Sequence, residues 1–303
     1  MKKLVVACAA VALCASAFAV DYTWNGGTSG EWTTAANWTP STGYPNDADD
    51  TAAFASAATV SVGDAVAVKG ISAAGELTLT GAEIALGADG IQSSAAFGVD
   101  VTVNNGLTIS AAQTIVSNQA AAVHLKGVVA GAGGILKGGA GRLHLYSANT
   151  FEGGLVATGT KKTPKGNDVG SSGYVSGGAF VWNSDVGDSS GVVIYDVQAL
   201  GAGKATFDPD YKSDDGSGAR LTVMNCTGTV ENDIRLANDK TTAKTYYALE
   251  VSGGDVVFSG KITSTYRTIV RLLSVNTVHF SQAIGHSNYL TFVPLFSAAA
   301  PST

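Results

Sequence analysis

Apolar and polar residues alternate in short runs along this chain, and one run keeps returning. It reads apolar–polar–apolar–polar, closed by a small or amide residue: Leu77 to Gly81, Val101 to Asn105, Val123 to Gly127 and Leu143 to Ser147. Later copies are Leu221 to Asn225, Leu249 to Gly253 and Val278 to Gln282. The first four begin 24, 22 and 20 residues apart, and the later gaps are longer. A period of two predicts strands with one buried face. Its recurrence predicts a stacked array, an all-β solenoid in which each coil buries its apolar face only against its neighbours.

The pattern divides the chain. Residues 57–303 carry the alternation, punctuated by Gly, Asn and Asp, and show no helix of normal length. Strands are predicted at Thr59–Val62, Ala65–Lys69, Glu76–Thr80, Glu83–Leu86, Val101–Val103, Leu107–Ile109, Ala122–Val128 and Arg142–Tyr146. They resume at Ala179–Trp182, Val192–Tyr195, Lys204–Phe207, Arg220–Met224, Ala248–Val251, Asp255–Phe258, Thr268–Leu273, Thr277–Phe280 and Leu290–Val293. Two stretches break the rhythm, 159–175 and 207–218, and read as excursions from the stack. Residues 20–56 form a head with three of the four tryptophans, Trp24, Trp32 and Trp38. A solenoid leaves rows of unpaired amides at its ends, so this head is expected to cap one of them.

Residues 1–19 read as an export signal: Lys2 and Lys3, an apolar stretch from Leu4 to Leu13, then Ala17 and Ala19 at the small-residue positions before a cut at Val20. Cys8 and Cys14 leave with it, so Cys226 is alone and an internal disulfide or tetrathiolate zinc site is excluded. The formal charge is −6, and the cut removes two lysines. Without a basic stripe, nucleic acid and anionic lipid are not expected partners. No later segment is long and apolar enough to span a bilayer as a helix, so membrane insertion of the mature chain is not expected.

Gly133 to Leu155 closely resembles the autotransporter-associated β-strand repeat. In that repeat a G-x-L-x-K-x-G-x-G-x-L-x-L run leads into S-x-x-N-x-[YF]-x-G-G. Gly133, Lys137, Gly139, Gly141, Leu143, Leu145, Asn149, Phe151, Gly153 and Gly154 occupy matching places, while Ile135 and Tyr146 depart from the usual Leu and Ser. The head, with Trp24, Trp32, Asn37, Trp38, Pro45 and Asn46, resembles the start of secreted proteins carrying this repeat, and Leu200 to Phe207 resembles a linking segment common in them. The resemblance implies a right-handed parallel β-helix of the pectin-lyase-like type. It further implies export by a Gram-negative-type cell to the extracellular space or outer surface. The translocator barrel of that family is absent from these 303 residues, which leaves open a stand-alone secreted protein or a piece of a longer one.

Chemistry is harder to read. Polysaccharide lyases and hydrolases of such folds need carboxylates converging in one groove. Candidates are Asp208, Asp210, Asp214 and Asp215, or Glu76 with Asp100, each just before a repeat strand; solvated turns are the plainer explanation of the first four and an exposed polar edge that of the other two. Asp47, Asp49 and Asp50 suit turn hydrogen bonds. His124 and His144 share one place in the phrase and are expected to stack, facing outward, without a third zinc ligand. Lys161, Lys162 and Lys165 make a small basic tip. Trp24, Trp32 and Trp38 are candidate glycan contacts or an end plug. The expected role is a non-catalytic stem for structural or adhesive display, with no cofactor or metal. Extracellular glycans are the candidate partners, through a glycan-binding module first and a polysaccharide lyase or hydrolase second.

Overall fold

The computed structural model describes residues 19–26, 30–95, 99–112, 114–118, 121–139, 141–158, 175–176, 179–180, 191–208, 220–236, 246–264, 268–273, 277–286 and 290–295. The signal before Ala19, nearly all of the excursion 159–175, the excursion 207–218 beyond Asp208, and Trp182 lie outside the described residues.

The described chain is all-β apart from a 3-10 turn at Ala35–Asn37. Most strands belong to a fourteen-stranded and a ten-stranded sheet. The chain visits the two in turn: Thr51–Phe54 in the larger, Ala58–Val62 in the smaller, Val66–Ala73 in the larger, Leu77–Gly81 in the smaller. Each return lands parallel to the previous strand of the same sheet. This order is compatible with a solenoid.

Parallel pairing puts like residues in columns. Leu77, Val101, Val123, Leu143, Val192, Leu221, Leu249 and Val270 are successive register partners in the ten-stranded sheet. Two residues on, Val60, Leu79, Val103, Leu125, Leu145, Ile194, Val223 and Val251 form a second column. All sixteen side chains are buried. Six of the seven phrase copies therefore lie on one sheet. The seventh departs: Thr277–Phe280 joins Gly228–Val230 and Asp255–Phe258 in a three-stranded sheet, because the later passes insert an extra strand between the two main sheets.

The repeat-like stretch explains its glycines here. A Cβ on Gly134 would sit 2.7 Å from the Gly153 carbonyl oxygen, and one on Gly153 would sit 2.6 Å from the Gly133 carbonyl carbon. Neighbouring passes thus cross backbone on backbone, and Gly154 takes φ +76°, a left-handed conformation suited to glycine.

The head lies at the first edges of both sheets. Asp21–Trp24 pairs parallel with Thr51–Phe54 and antiparallel with Trp38–Thr39. The Trp32 N–H donates to the Ser61 carbonyl (2.8 Å) and the Ser61 N–H to that of Gly30 (2.7 Å), covering the first strand of the ten-stranded sheet. Trp24 and Trp32 meet Trp38 in T-shaped contacts with centroids 5.0 and 4.9 Å apart. Their indole needs are met inside: Trp32 Nε1–H donates to the Pro45 carbonyl and Trp38 Nε1–H to that of Trp32. Trp32 and Trp38 are 0% exposed and Trp24 8%. These three rings pack mainly against one another and Phe54.

Replacing Trp38 by Ala should lower stability by about 3–5 kcal/mol, as for a large aromatic lost from a packed core. Urea unfolding of the purified chain measures it; a loss below about 1 kcal/mol would show that the ring cluster does not hold the head.

Candidate functional site

The residues between the two buried columns form a third column, on the face of the ten-stranded sheet away from the core, polar except at Val193. It runs Thr78, Thr102, His124, His144, Val193, Thr222, Glu250, Arg271. The His124 and His144 rings stack as expected, 4.4 Å apart at 26°. His144 lies on the outward face as expected, but that face is covered there, and the residue is only 3% exposed. His124 Nε2 faces Asp100 Oδ2 at 3.3 Å and its Nδ1 faces the Tyr146 hydroxyl at 2.9 Å. His144 Nδ1 faces the Tyr195 hydroxyl at 3.2 Å, and the two tyrosine rings stack 4.3 Å apart at 3°.

Burial pushes the His144 imidazole down to about 3, with His124 and Arg142 adding to the effect, so this ring is neutral at ordinary pH. The hydrogen bond from His124 holds the Asp100 carboxyl below its usual range, and burial raises the Tyr146 phenol. None of these three groups is tuned towards neutrality, where general acid–base work is most efficient. Among the described residues no group of three or more His, Cys, Asp or Glu is placed to hold a metal.

Two buried cationic features were not legible in the sequence. Glu250 Oε2 lies 3.2 Å from Arg220 Nη1 and 3.4 Å from Arg271 Nη1, with all three side chains at most 7% exposed. Lys137, the lysine of the repeat-like motif, points into the core between Val116 and Ala157 of the neighbouring passes and is 0% exposed. Its ammonium donates to the Gly138 and Gly139 carbonyls, and burial pushes it down to about 7.

The remaining candidates separate. Glu76 is exposed, while Asp100 is engaged by His124 and by the Ala122 N–H. Asp208 ends the strand Ala205–Asp208, and Asp210, Asp214, Asp215, Lys161, Lys162 and Lys165 lie outside the described residues. Asp47 and Asp50 serve their turn: Asp47 Oδ1 accepts from the Asp49 N–H and Asp50 Oδ2 from the Asn46 N–H. Cys226 is buried and its thiol is pushed up to about 11, which leaves it unreactive at neutral pH.

A groove of about 610 Å³ runs across three passes where the chain crosses from the smaller to the larger sheet. Glu152, Gln198, Lys204, Glu231 and Asp233 line it around the small residues Gly201, Ala202 and Gly203. Buried asparagines brace its floor: Asn232 Nδ2 donates to the Gly201 and Gly203 carbonyls (both 2.8 Å), and Asn149 bridges the Val129 N–H and the Ala199 carbonyl. Sequence reading passed over these side chains because their three segments are brought together only by the stacking.

No family model, curated protein or solved structure matches this chain.

The two buried bases make stability depend on pH with a defined sign. His144 is neutral in the fold at pH values where the unfolded ring, with its ordinary value of 6.5, is protonated. The unfolded state then binds more protons, so stability falls as pH drops from 6.5 towards 3, by an amount on the order of a few kcal/mol. Lys137 acts likewise at higher pH, with stability rising from about 7 towards 10.5. Urea midpoints across pH 3.5–10.5 should show both slopes. His144→Gln should flatten the first and Lys137→Met the second; slopes unchanged by both substitutions would place the titrations elsewhere.

Proposed function

We propose that this chain is a secreted, non-catalytic stem: a right-handed parallel β-helix of the autotransporter-associated repeat type that displays loops at the cell exterior. The observation carrying the reading is the unbroken column from Leu77 to Val270, eight register partners deep and wholly buried. Parallel strands joined by a crossover through a second sheet are right-handed in nearly all proteins. A structure held together by repetition is stiff along its axis and needs no reactive group. The strand Ala205–Asp208 takes in the first two residues of the stretch 207–218, and its end lies beside that of Leu155–Thr158, because Thr158 and Asp208 are register partners. The tryptophan head is the cap of this stem.

Ten strands in the smaller sheet, spaced about 4.8 Å apart, set a rod of roughly 45 Å before the head is added. Small-angle X-ray scattering of the mature chain should show that rod, and antibodies should label intact cells without permeabilisation. A spherical particle, or label seen only after permeabilisation, would refute the stem or its display respectively.

The groove favours a second reading, glycan binding. Its volume suits a small-molecule site. Its carboxylates, amides and single ammonium are the groups that hydrogen-bond vicinal hydroxyls, and their excess of negative charge favours neutral sugars over uronates. Titration with cellohexaose, mannohexaose and chitohexaose should show binding by at least one, lost in Ala202→Trp, which fills the trench. Failure of all three to bind removes this reading. Depolymerisation of a polysaccharide that is lost in the Glu152→Ala, Glu231→Ala double variant would overturn the non-catalytic assignment.

A further inference from the structure

Asp50 is 6% exposed, and its carboxylate is held by two backbone amides. The Val20 N–H donates to Oδ1 at 3.0 Å and the Asn46 N–H to Oδ2 at 3.1 Å. Among the described residues no Lys, Arg or His side chain forms an ion pair with it. A carboxylate taken out of water without a counter-charge is costly. The position of Val20 is fixed from its other side too: the Thr51 N–H donates to the Val20 carbonyl at 3.0 Å, and the strand Asp21–Trp24 begins at the next residue. Ala19, immediately before, is exposed.

Val20 is also the residue before which the export signal is expected to be cut. Hydrolysis there consumes one water: the Ala19–Val20 C–N bond breaks, the hydroxyl goes to the Ala19 carboxyl, and the Val20 nitrogen leaves as an amine that is protonated at neutral pH. We propose that this cut supplies the missing charge, so that the new α-ammonium of Val20 forms a buried ion pair with Asp50 and locks the tryptophan head onto the first strands. Export processing then completes the cap, and the uncut chain carries a weaker one. The geometry selects the site, because a start one residue earlier moves the ammonium by about 3.5 Å, beyond the carboxylate. This inference rests on the exported-stem reading for its protease and on Asp50 alone for its pairing.

Ionisable groups near Asp50 and Val20 include the Tyr22 phenol, which burial and then Asp50 hold above its usual value, and Asp21, whose Oδ1 accepts from the Thr51 hydroxyl at 2.6 Å. The sign of the pH effect follows. Pairing raises the amine above its unfolded value of about 8, so the stabilisation is complete below that value and is lost as pH rises through the folded one.

The test compares mature chains that begin at Val20, begin at Ala19, or begin at Val20 with an acetylated amine. At pH 7 the free Val20 form should be favoured over the other two by roughly tenfold or more in its unfolding equilibrium constant, with the advantage shrinking above pH 8. Asp50→Asn should abolish the difference. Equal unfolding curves for the three forms, or a difference that survives Asp50→Asn, would overturn the pairing; the acetylated form decides if the variant does not fold. Separately, N-terminal sequencing of the exported protein should begin Val-Asp-Tyr-Thr-Trp. Another start overturns the maturation step while leaving the pairing to be judged by the unfolding curves.

Discussion

Backbone pairing between successive passes is the constraint on which the rest of this structure depends. Once a strand hydrogen-bonds in parallel to the one a pass earlier, each residue is committed to the column its predecessor occupies. A slip by one residue would turn every inward Leu, Val and Ile outward. The ten-stranded sheet keeps its register from Ala58 to Leu295 apart from one irregularity, between Tyr247 and Leu249. The register is kept on both sides of residues 159–190, where Thr158 pairs with Asp208 and Gly191 with Arg220. The glycine pairs follow from the same rule, since Gly133, Gly134, Gly153 and Gly154 lie where two passes touch through their main chains.

How much of this could be read from the sequence differs between the two sheets. Val101–Val103, Leu107–Ile109, Arg220–Met224, Asp255–Phe258, Thr268–Leu273 and Thr277–Phe280 were predicted with their observed ends. The phrase belongs to the ten-stranded sheet because that sheet uses Leu and Val inward with Thr and His outward. The larger sheet hides its pattern. Thr51–Phe54 reads Thr-Ala-Ala-Phe, Ile135–Gly138 buries a lysine, and Leu155–Thr158 is too short to show a period. Tight corners and close approach select small residues there, and small residues carry little contrast for a hydrophobic pattern.

The same limit applies to the polar groups. Alternation assigns Glu250 and His144 to the outer face, and both are on it, but alternation cannot show that this face is itself covered around Val193 and Thr222. Lys137 illustrates the opposite error, an ionisable residue in an inward column, kept there by two turn carbonyls that its amine can reach. The groove is a third case. Glu152, Lys204 and Asp233 are far apart along the chain, and the pairing of Leu155, Ala205 and Ile234 brings their segments side by side.

The meeting of Thr158 with Asp208 makes one corner a doorway. Two strands end there as partners, and the strands that resume at Gly191 and Arg220 begin as partners. The length of chain between those end points is uncoupled from the register on either side. That arrangement suits the corner for carrying unrelated inserts, so natural variants or grafted epitopes could be exchanged there while the wall behind them is left as it was.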